Sequence, residues 1–366
     1  MSPVRTLRRN SRVFFIIILS LVICGFFIFV SASLGKLDQD INTFVRLVTK
    51  QLVILFIGLI LMLIISQIPY KKWRGYALPL LIITTLGTLL VFIPGIGIKS
   101  GGAYRWIGFG GFTVQPAEFL KLGLIIYFSA WVSTIKTKIT TFKWGLLPLL
   151  ILLGGTGIIF VLQPDIGTFL TISVSLVSIY FIGGGSLKDL AIIFLIGLIA
   201  GAGLVATKPY LRQRVLTFIH PSSDALGSSY QINQSLIAVG SGGAFGRGFG
   251  QSLQKFNFLP QPVGDSIYAV ASEEFGFLGS VFLLSLFLLF ALWGLKIAGN
   301  APDVFGRLLA VGIVILVITQ SFMNIGAMLG IIPLTGDPLA FVSQGGSALL
   351  FTLMGSGIIL NISRTA

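Results

Sequence analysis

The sequence predicts an all-α, polytopic integral membrane protein with about ten transmembrane helices and one large extracytoplasmic loop. Hydrophobic residues make up 55% of its 366 residues and charged residues only 10%, whereas a soluble domain carries about 25% charged residues. Apolar runs of about 20 residues, long enough to cross a bilayer, lie near 13–31, 49–68, 77–94, 115–133, 144–162, 166–184, 188–206, 267–295, 306–330 and 346–362. We therefore expect one transmembrane domain over residues 1–366.

The first apolar run follows a basic arm, residues 1–12, that contains Arg5, Arg8, Arg9 and Arg12. Because this run is longer than the core of a signal peptide, about 7–15 residues, a retained first helix is expected. Positive residues favour the cytoplasmic side of a membrane. The arm therefore predicts a cytoplasmic N-terminus, and an even number of helices returns the C-terminus to the cytoplasm.

The net charge of +14 is explained first by this sidedness and by contact with anionic lipids. No nucleic-acid partner is expected. The single cysteine, Cys24, lies in the first apolar run and excludes an intrachain disulfide. The single histidine, His220, excludes a histidine-rich metal site.

Polar segments gather on the predicted outer side, at 95–114, 207–266 and 331–345. The longest carries Lys208, Arg212, Arg214, Arg247 and Lys255 against Asp224 and Asp265. Long loops escape the positive-inside rule, so these cations are either tolerated or bind an anionic ligand. Within this loop, residues 230–239 have the apolar spacing of a short amphipathic helix, and glycine-rich residues 240–250 follow, either as a flexible connector or as backbone that approaches a ligand.

Charged residues also lie at the edges of the apolar runs. Glu118 and Lys121 are three residues apart on one helix face, so they form either a structural ion pair or part of a polar cavity. Asp165 is placed to cap the sixth span. Asp265 precedes the eighth span, and Glu273 and Glu274 lie in the first turns of that span. The two glutamates either serve the function directly or stabilise the helix by interacting with the positive end of its dipole.

Together these clusters resemble the SEDS family, the RodA/FtsW/SpoVE group of membrane peptidoglycan polymerases, and most closely its FtsW branch. The similar stretches, in family order, are Tyr104-Arg-Trp-Ile, Gln115-Pro-Ala-Glu-Phe-Leu-Lys121, Leu162-Gln-Pro-Asp-Ile-Gly-Thr168, Tyr230-Gln-Ile-Asn-Gln-Ser235, Gly246-Arg-Gly248, Asp265-Ser-Ile-Tyr-Ala269, Glu273-Glu-Phe-Gly276 and Gly336-Asp-Pro-Leu-Ala-Phe-Val-Ser-Gln-Gly-Gly-Ser347. The chain departs from the family pattern at Ala117, Gln261, Val263, Gly264, Ala340 and Gln344.

The resemblance implies that lipid II is polymerised into β-1,4-linked glycan on the outer face of the bacterial cytoplasmic membrane, during division or growth. An inverting transfer needs one carboxylate base, and Asp265 is the expected catalytic residue. The expected ligands of the pyrophosphate and sugar are Arg105, Lys121, Arg212, Arg214, Gln234, Ser235, Arg247 and Ser343. The expected supports of the cavity are Trp106, Glu118, Asp165, Glu273 and Glu274.

A divalent cation, Mg²⁺ or Mn²⁺, is a candidate to share the pyrophosphate charge, and the sequence assigns it no ligands. The partners implied by the resemblance are a class B penicillin-binding protein transpeptidase and other cell-division or elongation proteins. Two alternatives stay open. One is a lipid II flippase that uses the same cationic groove, and the other is a non-catalytic scaffold that recruits the transpeptidase.

Overall fold

The computed structural model describes residues 3–37, 40–100, 103–109, 112–221, 227 and 229–365. Its helices, in chain order, are α1 (Pro3–Ser33), α2 (Ile41–Ile65), α3 (Lys71–Gly75), α4 (Ala77–Leu89), α5 (Pro116–Ile135), α6 (Leu147–Leu162), α7 (Ile166–Ile182), α8 (Leu187–Thr207), α9 (Pro209–Ile219), α10 (Tyr230–Ser241), α11 (Ile267–Gly299), α12 (Val304–Met328) and α13 (Gly346–Thr365). Short 3-10 turns or a π turn lie at Leu34–Lys36, Leu90–Phe92, Lys136–Thr140 and Phe142–Leu146.

The predicted all-α membrane architecture is confirmed. Eight described helices are long and apolar enough to cross a membrane, and Ala77–Phe92 and Ile166–Ile182 are shorter apolar helices. Each of the ten apolar runs in the sequence corresponds to one of these helices. Because consecutive spans alternate in direction, the segment before α11 and the one between α12 and α13 share one end of the bundle, here named the cavity end.

The centre of the bundle is α12, which contacts α5, α7, α11 and α13. The most apolar stretch of α12 is 67% buried, and the corresponding stretch of α13 is 83% buried. In α8 no residue of the corresponding stretch is buried. Elements that carry the site are therefore supported from the middle of the bundle. The surface of α8 is left to lipid, as expected of a helix that is apolar all round.

A small antiparallel sheet, which the sequence analysis did not predict, covers part of the cavity end. Its strands are β1 (Gly97–Ser100), β2 (Ala103–Phe109) and β3 (Phe112–Val114), in the order β1-β2-β3. Side chains alternate between the two faces of a strand. Consequently, Arg105 and its neighbour Trp106 project from opposite faces of β2.

Helix α11 is bent at Gly276, whose φ of 64° lies in the left-handed region that glycine tolerates. The bend lets the glycine-rich turn after α10 reach the helix backbone, and the amides of Arg247 and Gly248 donate to the carbonyls of Glu273 and Glu274 at 3.0 and 2.9 Å. The first turns of α11 are thus tied to the loop that precedes them.

Candidate active site

A cavity with a volume of about 580 Å³ lies at the cavity end and contains Asp265. Its other polar lining residues are Arg105, Tyr210, Gln213, Arg214, Thr217, Gln231, Asn324 and Thr335. These residues come from β2, α9, α10, α12 and the segment after α12. Residues far apart in sequence therefore converge on one carboxylate, in a cavity large enough for a ligand of drug size.

Hydrogen bonds from two other elements fix the backbone that presents Asp265. Asn324 of α12 donates its Nδ2 to the carbonyls of Asp265 and Asp337, both at 2.8 Å. The hydroxyl of Ser343 donates to the carbonyl of Gly264 at 2.8 Å, and the amide of Gln344 donates to the carbonyl of Val263 at 2.7 Å. The 331–345 segment and α12 thus hold the Asp265 segment in one position.

Charge around Asp265 is mixed. Burial raises the pKa of the Asp265 carboxyl, Arg105 and Arg214 oppose that rise, and Asp165 adds to it. A carboxylate with a raised pKa is a stronger base than a free one. The arrangement suits a group that accepts a proton.

The two arginines are held by the protein rather than free to move. Arg105 donates to the carbonyls of Gln163 and Pro164, and its Nε lies 3.9 Å from Oδ2 of Asp165. Arg214 donates to the carbonyl of Thr335 at 3.1 Å. Both guanidinium groups line the cavity with donors left for an anion, since each guanidinium has five. Bidentate contact with a phosphate is the usual use of such donors.

Next to Asp265, the chain turns at Gly336, whose φ is +78°. A methyl group placed on this glycine would lie 3.6 Å from Oδ2 of Asp265 and 3.8 Å from the Arg214 guanidinium. Glycine therefore leaves space for a ligand to contact the carboxylate and the guanidinium together.

A second carboxyl group, Asp337, lies buried behind the cavity. Thr168 donates its hydroxyl to one oxygen of Asp337 at 3.4 Å, and the other oxygen has no partner among the described residues. Burial, followed by the charge of Asp165, raises the pKa of Asp337 to about 7. A buried carboxylate without a full set of partners takes up a proton because its charged form is poorly solvated.

Glu118 and Lys121, both predicted site residues, lie beneath the cavity and outside its lining. The Lys121 ammonium is 2.8 Å from Glu118 and 2.9 Å from Oε1 of Gln320, and all three residues are buried. Gln320 in turn donates to the carbonyl of Pro338 at 2.9 Å. This pair connects α5 and α12 to the 331–345 segment, so its geometry suits support better than direct contact with an anion.

The structure brings Asp265, Arg105, Arg214 and Asp165 together but places other predicted residues elsewhere. Arg212 is exposed on α9, and Gln234, Ser235, Arg247 and Trp106 are outside the cavity lining. Ser235 is buried against Gln231 and Met328, and Arg247 pairs with Glu273 at 3.4 Å. Ser343 is buried outside the cavity lining, where its hydroxyl holds the backbone at Gly264.

Glu273 and Glu274 support the loop before α11 rather than the cavity wall. Glu273 accepts from the Ser252 hydroxyl at 2.6 Å and from two backbone amides. Glu274 pairs with Lys255 at 2.7 Å and also accepts from Ser31 of α1. These contacts join α1, the loop and α11 in one buried cluster.

Sequence reasoning missed Tyr210, Asn324 and Asp337. Tyr210 precedes Arg214 by four residues, so both lie on one face of α9 and Arg212 lies on the other. That spacing was readable from the sequence. The hydroxyl of Tyr210 and Oδ1 of Asn324 are buried without a described partner, and both residues line the cavity.

The described residues contain no group of three or more His, Cys, Asp or Glu side chains placed to hold a metal ion. The cationic side chains in the described lining of the cavity are those of Arg105 and Arg214.

Comparison with known proteins supports one family throughout the chain. The cell cycle protein family of FtsW, RodA and SpoVE matches residues 11–366. The stage V sporulation protein E of Bacillus subtilis is 40% identical over 95% of this chain and 95% of its own, and a probable peptidoglycan glycosyltransferase FtsW of Geobacter metallireducens is 35% identical over 98% and 96%.

Two solved structures agree with this assignment. One is a chain of a peptidoglycan synthase complex that coordinates polymerization and crosslinking. It is 29% identical, with a TM-score of 0.77 over 96% of this chain and 97% of that one. The rod shape determining protein RodA of Thermus thermophilus is 27% identical, with a TM-score of 0.69 over 96% and 95%. The chain thus belongs to the cell cycle protein family of FtsW, RodA and SpoVE, as its motifs predict.

Proposed function

We propose that this protein is a peptidoglycan glycosyltransferase that polymerises lipid II into β-1,4-linked glycan strands during division or growth. The observation that carries the proposal is a single carboxylate, Asp265, facing a cavity that also contains two fixed arginines. Relatives named as probable peptidoglycan glycosyltransferases support the same reaction.

In the proposed reaction, the acceptor sugar attacks the anomeric carbon of a donor that is linked to undecaprenyl pyrophosphate. Asp265 takes the proton of the attacking hydroxyl, whose oxygen forms the new bond to the anomeric carbon. The bond from that carbon to the pyrophosphate breaks, and its electron pair leaves with the phosphate oxygen. One direct displacement inverts the anomeric centre, so an α-linked donor gives a β-linked product.

The negative charge that develops on the leaving pyrophosphate is greatest in the transition state. Arg105 and Arg214 are held in place before the substrate arrives, so their donors stabilise this charge without a large reorganisation. The unpartnered hydroxyl of Tyr210 lies in the same cavity and supplies one further donor. Glu118, Lys121 and Asp165 maintain the field and shape beneath it.

The basic arm at residues 1–12 supports an orientation with both termini in the cytoplasm and the cavity end outside. This orientation places Asp265 at the outer surface of the bacterial cytoplasmic membrane, beside the headgroup of a lipid-linked sugar. A structural neighbour from a peptidoglycan synthase complex supports a transpeptidase partner, which we assign to the class B penicillin-binding proteins. Proteins of the division or elongation machinery are further proposed partners.

The test is polymerisation of purified lipid II in detergent, where transport across a membrane has no meaning. The wild-type protein, with its transpeptidase partner, is expected to form glycan strands that are resolved by gel electrophoresis. Asp265→Ala is expected to abolish them because the base is lost. Asp40→Ala is the matched control, since Asp40 is an exposed carboxylate that caps α2 at the cavity end.

Each alternative has its own outcome. A flippase moves labelled lipid II across vesicles and forms no glycan in detergent. A scaffold binds the transpeptidase regardless of the Asp265→Ala change and forms no glycan. Glycan formation by wild type and by Asp40→Ala, and its loss in Asp265→Ala, excludes both.

A further inference from the structure

A second cavity, of about 240 Å³, lies at the cavity end beside the Asp265 cavity. It is lined by residues of three segments: Gly35 and Lys36, Tyr230, and residues within 255–262. The reaction proposed above does not use it. A polymerase binds two lipid-linked sugars, a donor and an acceptor. The two arginines of the Asp265 cavity suit the pyrophosphate of one of them.

Two stretches of the chain contribute residues to both cavities, and one of them ends at Asp265. Tyr230 lines the second cavity and the next residue, Gln231, lines the first. Gln261 lines the second cavity, and Asp265, four residues later, lines the first. The carbonyl of Gln261 accepts from the amides of Gly264 and Ser266, so these residues form one compact turn. The turn that contains Asp265 therefore begins at the lining of the second cavity.

The second cavity differs from the first in charge. No arginine is among its described lining residues. Its two lysines are the half-buried Lys36 and Lys255, whose ammonium is fully buried against Glu274 at 2.7 Å. The side chains of Asn257, Phe258 and Gln261 are exposed. Two amides and a phenyl ring suit the hydroxyls and the apolar face of a sugar, whereas the arginines of the first cavity suit a phosphate.

The backbone of the second cavity is fixed from below. Lys255 is held by Glu274 and by Ser31 of α1, and the amide of Leu259 donates to the carbonyl of Gln254 at 2.8 Å. Gly35 lies so close to this segment that a methyl group on it would be 2.3 Å from the carbonyl oxygen of Lys255. These contacts order the cavity before a ligand arrives, which reduces the entropy lost on binding.

We propose that the second cavity binds the acceptor sugar, the saccharide that supplies the attacking hydroxyl, while the Asp265 cavity binds the donor at its pyrophosphate. This assignment rests on the proposed glycosyltransferase function. The donor must have cations next to its anomeric carbon because its pyrophosphate leaves from there. The attacking hydroxyl of the acceptor carries no phosphate, and it meets the donor carbon at Asp265, which takes its proton.

The test separates the two substrates by chemistry. Lipid II in which hydrogen replaces the 4-hydroxyl of the terminal sugar serves only as a donor. With this analogue in excess, labelled lipid II is the limiting acceptor, so varying its concentration gives the KM for the acceptor. With labelled lipid II in excess, varying the concentration of the analogue gives the KM for the donor. The variants are Gln261→Gly and Phe258→Ala. Glycine at 261 also suits the observed φ of +50°.

Each variant is expected to raise the KM for the acceptor about tenfold, the effect of losing roughly 1.4 kcal/mol of contact. The KM for the donor is expected to change less than about twofold. The control Phe245→Ala, at a phenylalanine that is 82% exposed and outside both cavities, should change neither constant. Arg214→Gln should instead raise the KM for the donor.

An unchanged acceptor KM in both variants, or an equal rise for donor and acceptor, would overturn the assignment. Failure of the glycosyltransferase proposal gives a different result, because then the wild-type protein itself joins no sugars. The two failures are therefore distinguishable within one set of assays.

Discussion

The buried pair of Lys255 and Glu274 provides the sharpest test of how the loop before α11 is stabilised. Their charged atoms are 2.7 Å apart, and their side chains are 0% and 1% exposed. In Lys255→Met, Glu274 keeps the hydroxyl of Ser31 and a long contact to the amide of Ser252 at 3.4 Å, but it loses its counter-charge. Removing one partner of a buried ion pair costs about 3–5 kcal/mol, because the remaining charge is uncompensated.

The assay is unfolding in mixed micelles, monitored by the loss of helical signal, and it gives the free energy of unfolding. The free energy of unfolding of Lys255→Met is expected to be about 3–5 kcal/mol below that of wild type. The double variant, Lys255→Met with Glu274→Gln, is expected to recover most of that loss because it buries no lone charge. Lys296→Met is the matched control, since Lys296 is exposed and lies over the Trp293 ring at 5.6 Å. Its cost should be about 1 kcal/mol or less.

Two results would refute this reasoning. One is a Lys255→Met variant no less stable than the Lys296→Met control. The other is a double variant as unstable as the single one, which would show that packing of the lysine side chain, rather than its charge, stabilises the loop.

Two further predictions concern titration near the cavity. Arg105→Gln removes a charge that lowers the pKa of Asp265, so the acidic limb of kcat/KM against pH should move to higher pH. The exposed control Arg46→Gln should leave the limb where it is in wild type. An unmoved limb in Arg105→Gln would contradict the prediction. Asp337 has a folded pKa of about 7 against an ordinary 3.8, so its contribution to stability is lost as pH rises through that interval. The melting temperature of Asp337→Asn, relative to that of wild type, should therefore rise between about pH 4 and 7 and then stay constant. A difference that does not change with pH would refute the prediction.

The bundle was predictable because each membrane helix is a long apolar run, and such runs are visible without knowledge of packing. The proximity of Asp265 to Arg105 was also predictable, since the motifs that contain them lie on the same side of the membrane, the predicted outer side. Arg214 could be found from its place in the basic outer loop. These predictions depend on sidedness and residue type, which the sequence states directly.

The remaining site residues depend on rotation about an element, which sidedness does not reveal. Arg212 and Arg214 are alike in composition, yet α9 directs only Arg214 into the cavity lining. Arg247 was expected at the pyrophosphate, but the bend at Gly276 brings it to Glu273 instead. Asp337 and Asn324 become part of the site only because α12 and the segment after it fold against Asp265.

The strands that carry Arg105 were missed for a related reason. The segment at 95–114 is rich in glycine and lies between two membrane helices, so it shows no clear alternation of apolar and polar residues. Its pairing places Gly97 opposite Ile107 and Val114 on the other side of Ile107. Tertiary pairing, rather than local pattern, therefore fixes where Arg105 projects.

The most direct test of the central claim is a comparison of binding and turnover in Asp265→Asn. This change keeps the size of the side chain and removes its ability to accept the proton. We expect lipid II to bind Asp265→Asn within about threefold of wild type while the rate of polymerisation falls at least about 100-fold, the smallest usual contribution of a general base. Polymerisation at the wild-type rate, or a loss of rate explained entirely by weaker binding, would contradict the assignment of Asp265 as the base.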